Sequence, residues 1–197
     1  MDYKYFDRDI SWLSFNERVL KESAKVDIPL GERLNFLSIY SSNLDEFYRV
    51  RIPALMALKK IKKEEEQATL LEQIGAIIDA QQQLFGKLLF ACFEPLKEQH
   101  GIVLLSNQKI PITITKETEY YFLTQVMAFI QPVFLSESED FFPENNQIYF
   151  SVCLKTKEKY EIAIVNIPSI YLTRFFSVKK ENQQYIVFLD DVILENL

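Results

Sequence analysis

The chain has 197 residues, 48% hydrophobic and 25% charged, a globular mix that excludes intrinsic disorder. With 28 acidic against 22 basic residues the net charge is −6, the wrong sign for a general nucleic-acid binder, so no nucleic-acid partner is expected. Two cysteines, Cys92 and Cys153, and one histidine cannot build a Cys/His zinc site.

The first hundred residues read as helices. Asp9 is placed to cap a helix in which Trp12, Phe15 and Val19 share one face, with Leu13 and Leu20 beside it. The turn Asp27-Ile28-Pro29-Leu30-Gly31 ends that helix, and Leu34, Leu37 and Ile39 begin a second. At Ser41-Ser42-Asn43 small polar side chains compete for backbone hydrogen bonds, which predicts a break. Asn43 with Glu46 three residues later matches a relaxed capping box and opens a third segment toward Leu58. The run from Lys59 to Glu66, four lysines followed by three glutamates, reads as a solvated helix end or turn. A long helix follows from Thr69 to His100, roughly 48 Å at about 1.5 Å per residue. Pro95 should kink or tighten its last turns, and Gly101 stops it.

Beyond Gly101 the period changes. Ile102 to Leu105 looks like a buried strand, and a helix runs from about Lys116 to Ile130, with Phe122, Val126, Phe129 and Ile130 apolar. Ile148, Phe150, Val152 and Leu154 then alternate with Tyr149, Ser151 and Cys153, a two-residue period. Ile162 with Ile164, and Val187 with Phe188, mark two further strand-like stretches, and residues 155–160 can close the first pair as a hairpin. The sequence ends on what reads as the opening of a helix, Asp190 to Leu197, which suggests a fragment. The expected class is therefore α+β: an all-α domain of antiparallel helices over residues 1–104, then a partial α/β domain with a mainly antiparallel sheet over 105–197.

Chemistry is thin. His100 is the sole histidine and sits at an expected helix C-terminus, where an imidazolium suits the helix dipole. Neither a GxxxxGK[ST] loop nor a GxGxxG fingerprint is present. The densest polar segment runs from Ser41 to Arg51, and five of the six arginines (Arg8, Arg18, Arg33, Arg49, Arg51) lie in the first 51 residues. Read structurally, Asn43 caps a helix, Asp45 and Glu46 suit the positive end of its dipole, and Asp45 pairs with Arg49. Read functionally, an amide and two guanidiniums at a helix junction suit a nucleotide, the amide for base or ribose and Arg49 or Arg51 for phosphate. Both readings stand on residue types alone. The N-terminus lacks an apolar signal core, and the longest apolar run, Leu88 to Phe93, is too short to span a bilayer. A cytoplasmic chain without a transmembrane segment is expected, with membrane association left open.

Tyr5-Phe6-Asp7-Arg8-Asp9-Ile10-Ser11-Trp12-Leu13-Ser14-Phe15-Asn16-Glu17-Arg18-Val19-Leu20 resembles the opening of the bacterial polyphosphate kinases that autophosphorylate on histidine. Pro29 to Arg51, PLGERLNFLSIYSSNLDEFYRVR, resembles the next block of that family, with Tyr48 and the nearby Pro53 as departures. Weaker echoes are the long helix, Phe142-Pro143, Pro168 with Arg174-Phe175, and the terminal LDDVILENL. The resemblance implies an enzyme of four regions, a helical N-terminal domain, a head domain and two phospholipase-D-like domains. Such an enzyme reversibly passes the terminal phosphoryl group of ATP to polyphosphate through a phosphohistidine. It implies a nucleotide contact at Asn43, ATP or ADP and polyphosphate as partners, and homo-oligomerisation through the head domain. It also implies Mg²⁺ as cofactor, with its ligands, the phosphohistidine and the second catalytic histidine downstream of this chain. His100 is not promoted to that role, and the 197 residues alone are expected to be inactive. Two other readings remain: a non-catalytic dimerisation module, and a helical phosphotransfer domain using His100.

Overall fold

The structure is a computed structural model describing residues 6–62, 65–137, 140–155 and 159–197. Tyr5, the side chains of the Lys59–Glu66 run and residues 156–158 of the expected hairpin loop lie outside the described part. The chain divides into two compact units, Met1–Gln99 and His100–Leu197.

In the first unit, helix α1 (Arg8–Glu22) is capped by Asp7, not Asp9. The Asp7 carboxylate accepts from the backbone N–H groups of Asp9 at 2.8 Å and Ile10 at 3.0 Å, which satisfies two of the helix's orphan donors. Its buried stripe is Asp9, Leu13, Asn16 and Leu20, and Phe15, expected inside, lies on the outer side at 48% exposure.

Helix α2 (Leu30–Lys62) runs through Ser41-Ser42-Asn43 without a break. The expected third segment does not exist, and Asn43, Asp45 and Glu46 sit in mid-helix rather than at a helix start. The reason is packing. Leu37, Tyr40, Leu44 and Phe47 are all buried at three- and four-residue spacing across the polar stretch. Each such burial is worth roughly 1.5–3 kcal/mol, against a few tenths of a kcal/mol per residue for the weaker helix propensity of Ser and Asn. Pro53 also lies inside α2, on its exposed side, where the carbonyl left without a donor can meet water. Contacts between Ser23 and Arg33, Asn16 and Asn43, and Asp9 and Arg51 run α1 and α2 antiparallel.

The expected long helix is two: α3 (Glu65–Phe90) and α4 (Phe93–His100), separated by a turn at Ala91-Cys92. Pro95 accounts for the interruption, because a proline ring clashes with the carbonyl four residues earlier, here that of Ala91. As the third residue of α4 its missing N–H belongs to the turn that has no intrahelical acceptor anyway. Ile74, Ile78 and Cys92 complete the core of this unit. Gly101 is the stop, at φ +66.

The second unit opens with β1 (Ile102–Leu105). Helix α5 (Thr115–Tyr121) passes into a π turn at Phe122–Val126 and a 3-10 turn at Met127–Phe129, so the expected helix is present but irregular. The wide turn brings Tyr121, Phe122 and Val126 all into the core. Then come β2 (Val133–Phe134), β3 (Ile148–Lys155), β4 (Tyr160–Ile167), β5 (Phe175–Lys180), β6 (Gln183–Phe188) and α6 (Leu189–Asn196). They form two three-stranded sheets, ordered β1-β6-β5 and β2-β4-β3. Only the β1–β6 pairing is parallel. Because β1 pairs with β6, residues 102–105 pack with the second unit. The β3–β4 hairpin pairs Ile148 with Ile167 and Lys155 with Tyr160. On β4 the inward residues are Ala163, Val165 and Ile167, and Ile162 and Ile164 alternate with them.

Candidate functional site

The polar segment of α2 faces α1 through one chain of hydrogen bonds. Asn16, fully buried, donates its side-chain Nδ2 to the Tyr40 carbonyl at 3.2 Å. Its Oδ1 accepts from Asn43 Nδ2 at 3.0 Å. Asn43 is half-buried, and its own Oδ1 has no partner among the described residues. It is therefore reachable from solvent and is not a capping residue. Both its hydrogen-bond commitments and its exposure are compatible with a ligand contact.

One turn further along α2, a cavity of about 210 Å³ is lined by Arg8, Asp9, Trp12, Glu46, Phe47, Val50 and Arg51. Its apolar part is the Trp12 and Phe47 pair, with ring centroids 5.0 Å apart and an interplanar angle of 20°, in the range of favourable stacking. Its floor is an ion pair. Arg51 Nε and NH2 reach the two oxygens of buried Asp9 at 2.7 and 2.8 Å, a bidentate grip that ties α2 to α1.

That geometry redistributes the arginines. Arg51 is committed to Asp9, and Arg49 to Asp45. The second pair is exposed on both sides, of a kind worth 0–1 kcal/mol at most, and releases easily. Arg8 also lines the cavity, is exposed, and has no ion-pair partner among the described residues. Of the three it is the cation most readily offered to an anion. The sequence placed the phosphate contact on Arg49 and Arg51, because Arg8 sits 35 residues before Asn43 and only the antiparallel packing of α1 on α2 brings it near. Asn16 was likewise quoted only as part of a motif.

Other chemical candidates fall away. His100 ends α4 and is exposed, not set in mid-helix. Cys92 is fully buried, and burial pushes its thiol above the ordinary range despite the opposing charge of Arg33, which makes it inert. Among the described residues no group of three or more His, Cys, Asp or Glu side chains comes together. No helix among the described residues is long and apolar enough to cross a membrane.

Residues 5–105 match the family model described as Polyphosphate kinase N-terminal domain, and residues 114–197 that described as Polyphosphate kinase middle domain. The curated polyphosphate kinase of Staphylococcus saprophyticus is 34% identical over 201 residues, covering 96% of this chain and 27% of that relative. Those of Vibrio vulnificus and Escherichia coli are each 31% identical, covering 98% and 96% of this chain and 29% of each relative. Among solved structures, polyphosphate kinase from Porphyromonas gingivalis matches with a TM-score of 0.84 at 33% identity, over 98% of this chain and 30% of that one. The chain thus spans less than a third of the length of these relatives.

Proposed function

The chain belongs to the polyphosphate kinase family, and from that premise we propose that it forms the nucleotide-holding part of an ATP–polyphosphate phosphotransferase. In the whole enzyme a histidine nitrogen attacks the terminal phosphorus of ATP, and the bond to the bridging oxygen breaks as ADP leaves. A terminal oxygen of polyphosphate then takes the phosphoryl group, and the nitrogen–phosphorus bond breaks. The histidine lies downstream of this chain. The family resemblance puts the ligands of Mg²⁺ downstream as well; bound there, it would offset charge on the moving group.

The contribution of these residues is positioning, which raises the effective concentration of one reactant against another. The observation that carries the reading is the Asn43 amide: half-buried, held from behind by Asn16, and with its oxygen unpaired. The adjacent cavity supplies an apolar wall in Trp12 and Phe47 and a spare cation in Arg8. In a complete polyphosphate kinase carrying this segment, Asn43→Ala should raise the KM for ATP by about two- to tenfold, the worth of one hydrogen bond. Steady-state kinetics check this; an unchanged KM removes Asn43 from the nucleotide site.

A second role fits the second unit, the pairing of subunits. On the side of the β3–β4 hairpin away from its core, Ile162 and Tyr160 are exposed at 45% and 68%. Toward the other end of the hairpin, at Tyr149 and Asn166, a groove of about 470 Å³ is lined by the stacked Phe129 and Tyr171. Apolar surface left open in this way is characteristic of interaction sites. Light scattering should give a dimer or larger assembly, and Ile162→Asp should shift it toward monomer. A monomer for the parent chain overturns this role.

A further inference from the structure

Asn16 is the unusual residue of the helical core. Its neighbours on the buried stripe of α1 include Leu13 and Leu20, and it is as completely buried as they are. A buried amide is tolerated only when its hydrogen bonds are made, and both of its ends are used, on two residues one turn apart on α2. The Tyr40 carbonyl can only accept. Asn16 must therefore turn its nitrogen toward Tyr40, and its oxygen must face Asn43. That oxygen can only accept in turn, so Asn43 must turn its own nitrogen inward. The remaining face of Asn43, the half-exposed one, is then a carbonyl oxygen.

We infer that Asn16 is a positioning residue for the nucleotide contact: by fixing the Asn43 amide it presents an acceptor, and so selects a hydrogen-bond donor on the nucleoside. This rests on the reading of Asn43 as the nucleoside contact. The donor is the exocyclic amino group of adenine or a ribose hydroxyl, which share this chemistry. An amide free to rotate by 180° serves donor and acceptor alike and discriminates between neither. Asn16 converts a promiscuous group into a selective one at the cost of a polar residue in the core, and the antiparallel packing of α1 against α2 sets the geometry.

The test uses a complete polyphosphate kinase carrying this segment, with KM and kcat measured for ATP, for ITP (an oxo group in place of the amino group) and for the 2′- and 3′-deoxy forms of ATP. In the parent enzyme the analogue lacking the donor should have a KM at least about fivefold above that of ATP, the worth of one hydrogen bond. Which analogue shows the penalty identifies the donor; equal KM for all of them overturns the inference. In Asn16→Ala the KM for ATP should rise while kcat stays within about twofold, and the analogue penalty should shrink to less than about twofold. A merely structural role for Asn16 lowers stability but leaves that ratio unchanged, and an unchanged ratio overturns the inference. Should Asn16→Ala fail to fold, Asn16→Leu fills the same site with a side chain like its buried neighbours Leu13 and Leu20 and equally frees the Asn43 amide, so the analogue penalty should shrink in the same way; an unchanged penalty overturns the inference. If Asn43→Ala itself leaves the KM for ATP unchanged, it is the underlying reading of Asn43 that fails, a separate outcome.

Discussion

Tyr40 carries its hydroxyl into the core of the helical unit at 1% exposure, with no hydrogen-bond partner, while its ring stacks on Phe85 at 5.6 Å. Burial pushes the phenol up to about 12, helped by nearby Tyr48 and Glu17. In the unfolded chain the same phenol titrates near 10. Between those values the unfolded state loses a proton that the folded state keeps, so stability drops as pH rises from 10 toward 12 and is unaffected below 10. Tyr40→Phe should remove part of that alkaline loss. At neutral pH it should leave stability equal or higher by up to about 1 kcal/mol, since an unpaired polar group is deleted and no hydrogen bond is lost. Denaturant titrations at pH 7 and pH 11 measure both, and a clear loss at pH 7 shows that the hydroxyl has a partner. At this scale the sequence was only partly legible. The Asn43 motif was visible because its residues are contiguous. Asn16 and Arg8 were not singled out, because their roles depend on which face of α1 meets α2; Trp12 and Val19 do pack against the core as expected, while Phe15, grouped with them, lies on the outer side.

Among the elements, helices and strands were legible where apolar period and length agreed, as in α1, α3, β3 and α6. They were misread where local chemistry and packing disagreed. Ser41-Ser42-Asn43 has the composition of a helix break, but the buried stripe from Leu37 to Phe47 carries the helix through. Short elements such as β2, two residues long, leave no periodic trace at all, and β5 (FFSVKK) offers too few apolar positions to show one. The turn from α4 into β1 was legible because it rests on a single residue. Gly101 adopts φ +66, and a Cβ added there would lie 2.8 Å from the Asn182 carbonyl oxygen. Its own carbonyl accepts from Gln184 N–H at 2.8 Å, so the close approach is part of how β1 joins β6. Gly101→Ala should therefore cost about 1–3 kcal/mol, from left-handed strain and from the displaced backbone of Asn182. Urea unfolding of the variant measures it, and a loss below about 0.5 kcal/mol means the turn relaxes freely.

The molecule as a whole holds two separate cores, one of helices and one of sheet and helix, each the size of a small domain. Among the described residues neither brings together a nucleophile, a base and a cation cluster. The chemistry of phosphoryl transfer needs an in-line nucleophile and positive charge against the transferring group. On the proposed function, what it offers ATP is a contact through Asn43 and the apolar cavity beside it, and a contact that is the same before and during transfer binds without accelerating. The 197 residues incubated with ATP and Mg²⁺ should therefore make no polyphosphate, and no acid-labile phosphate should appear on His100. Synthesis of polyphosphate by the purified chain, measured by release of ADP and by gel staining, would place the reacting groups within these two cores and overturn the separation of holding from transfer.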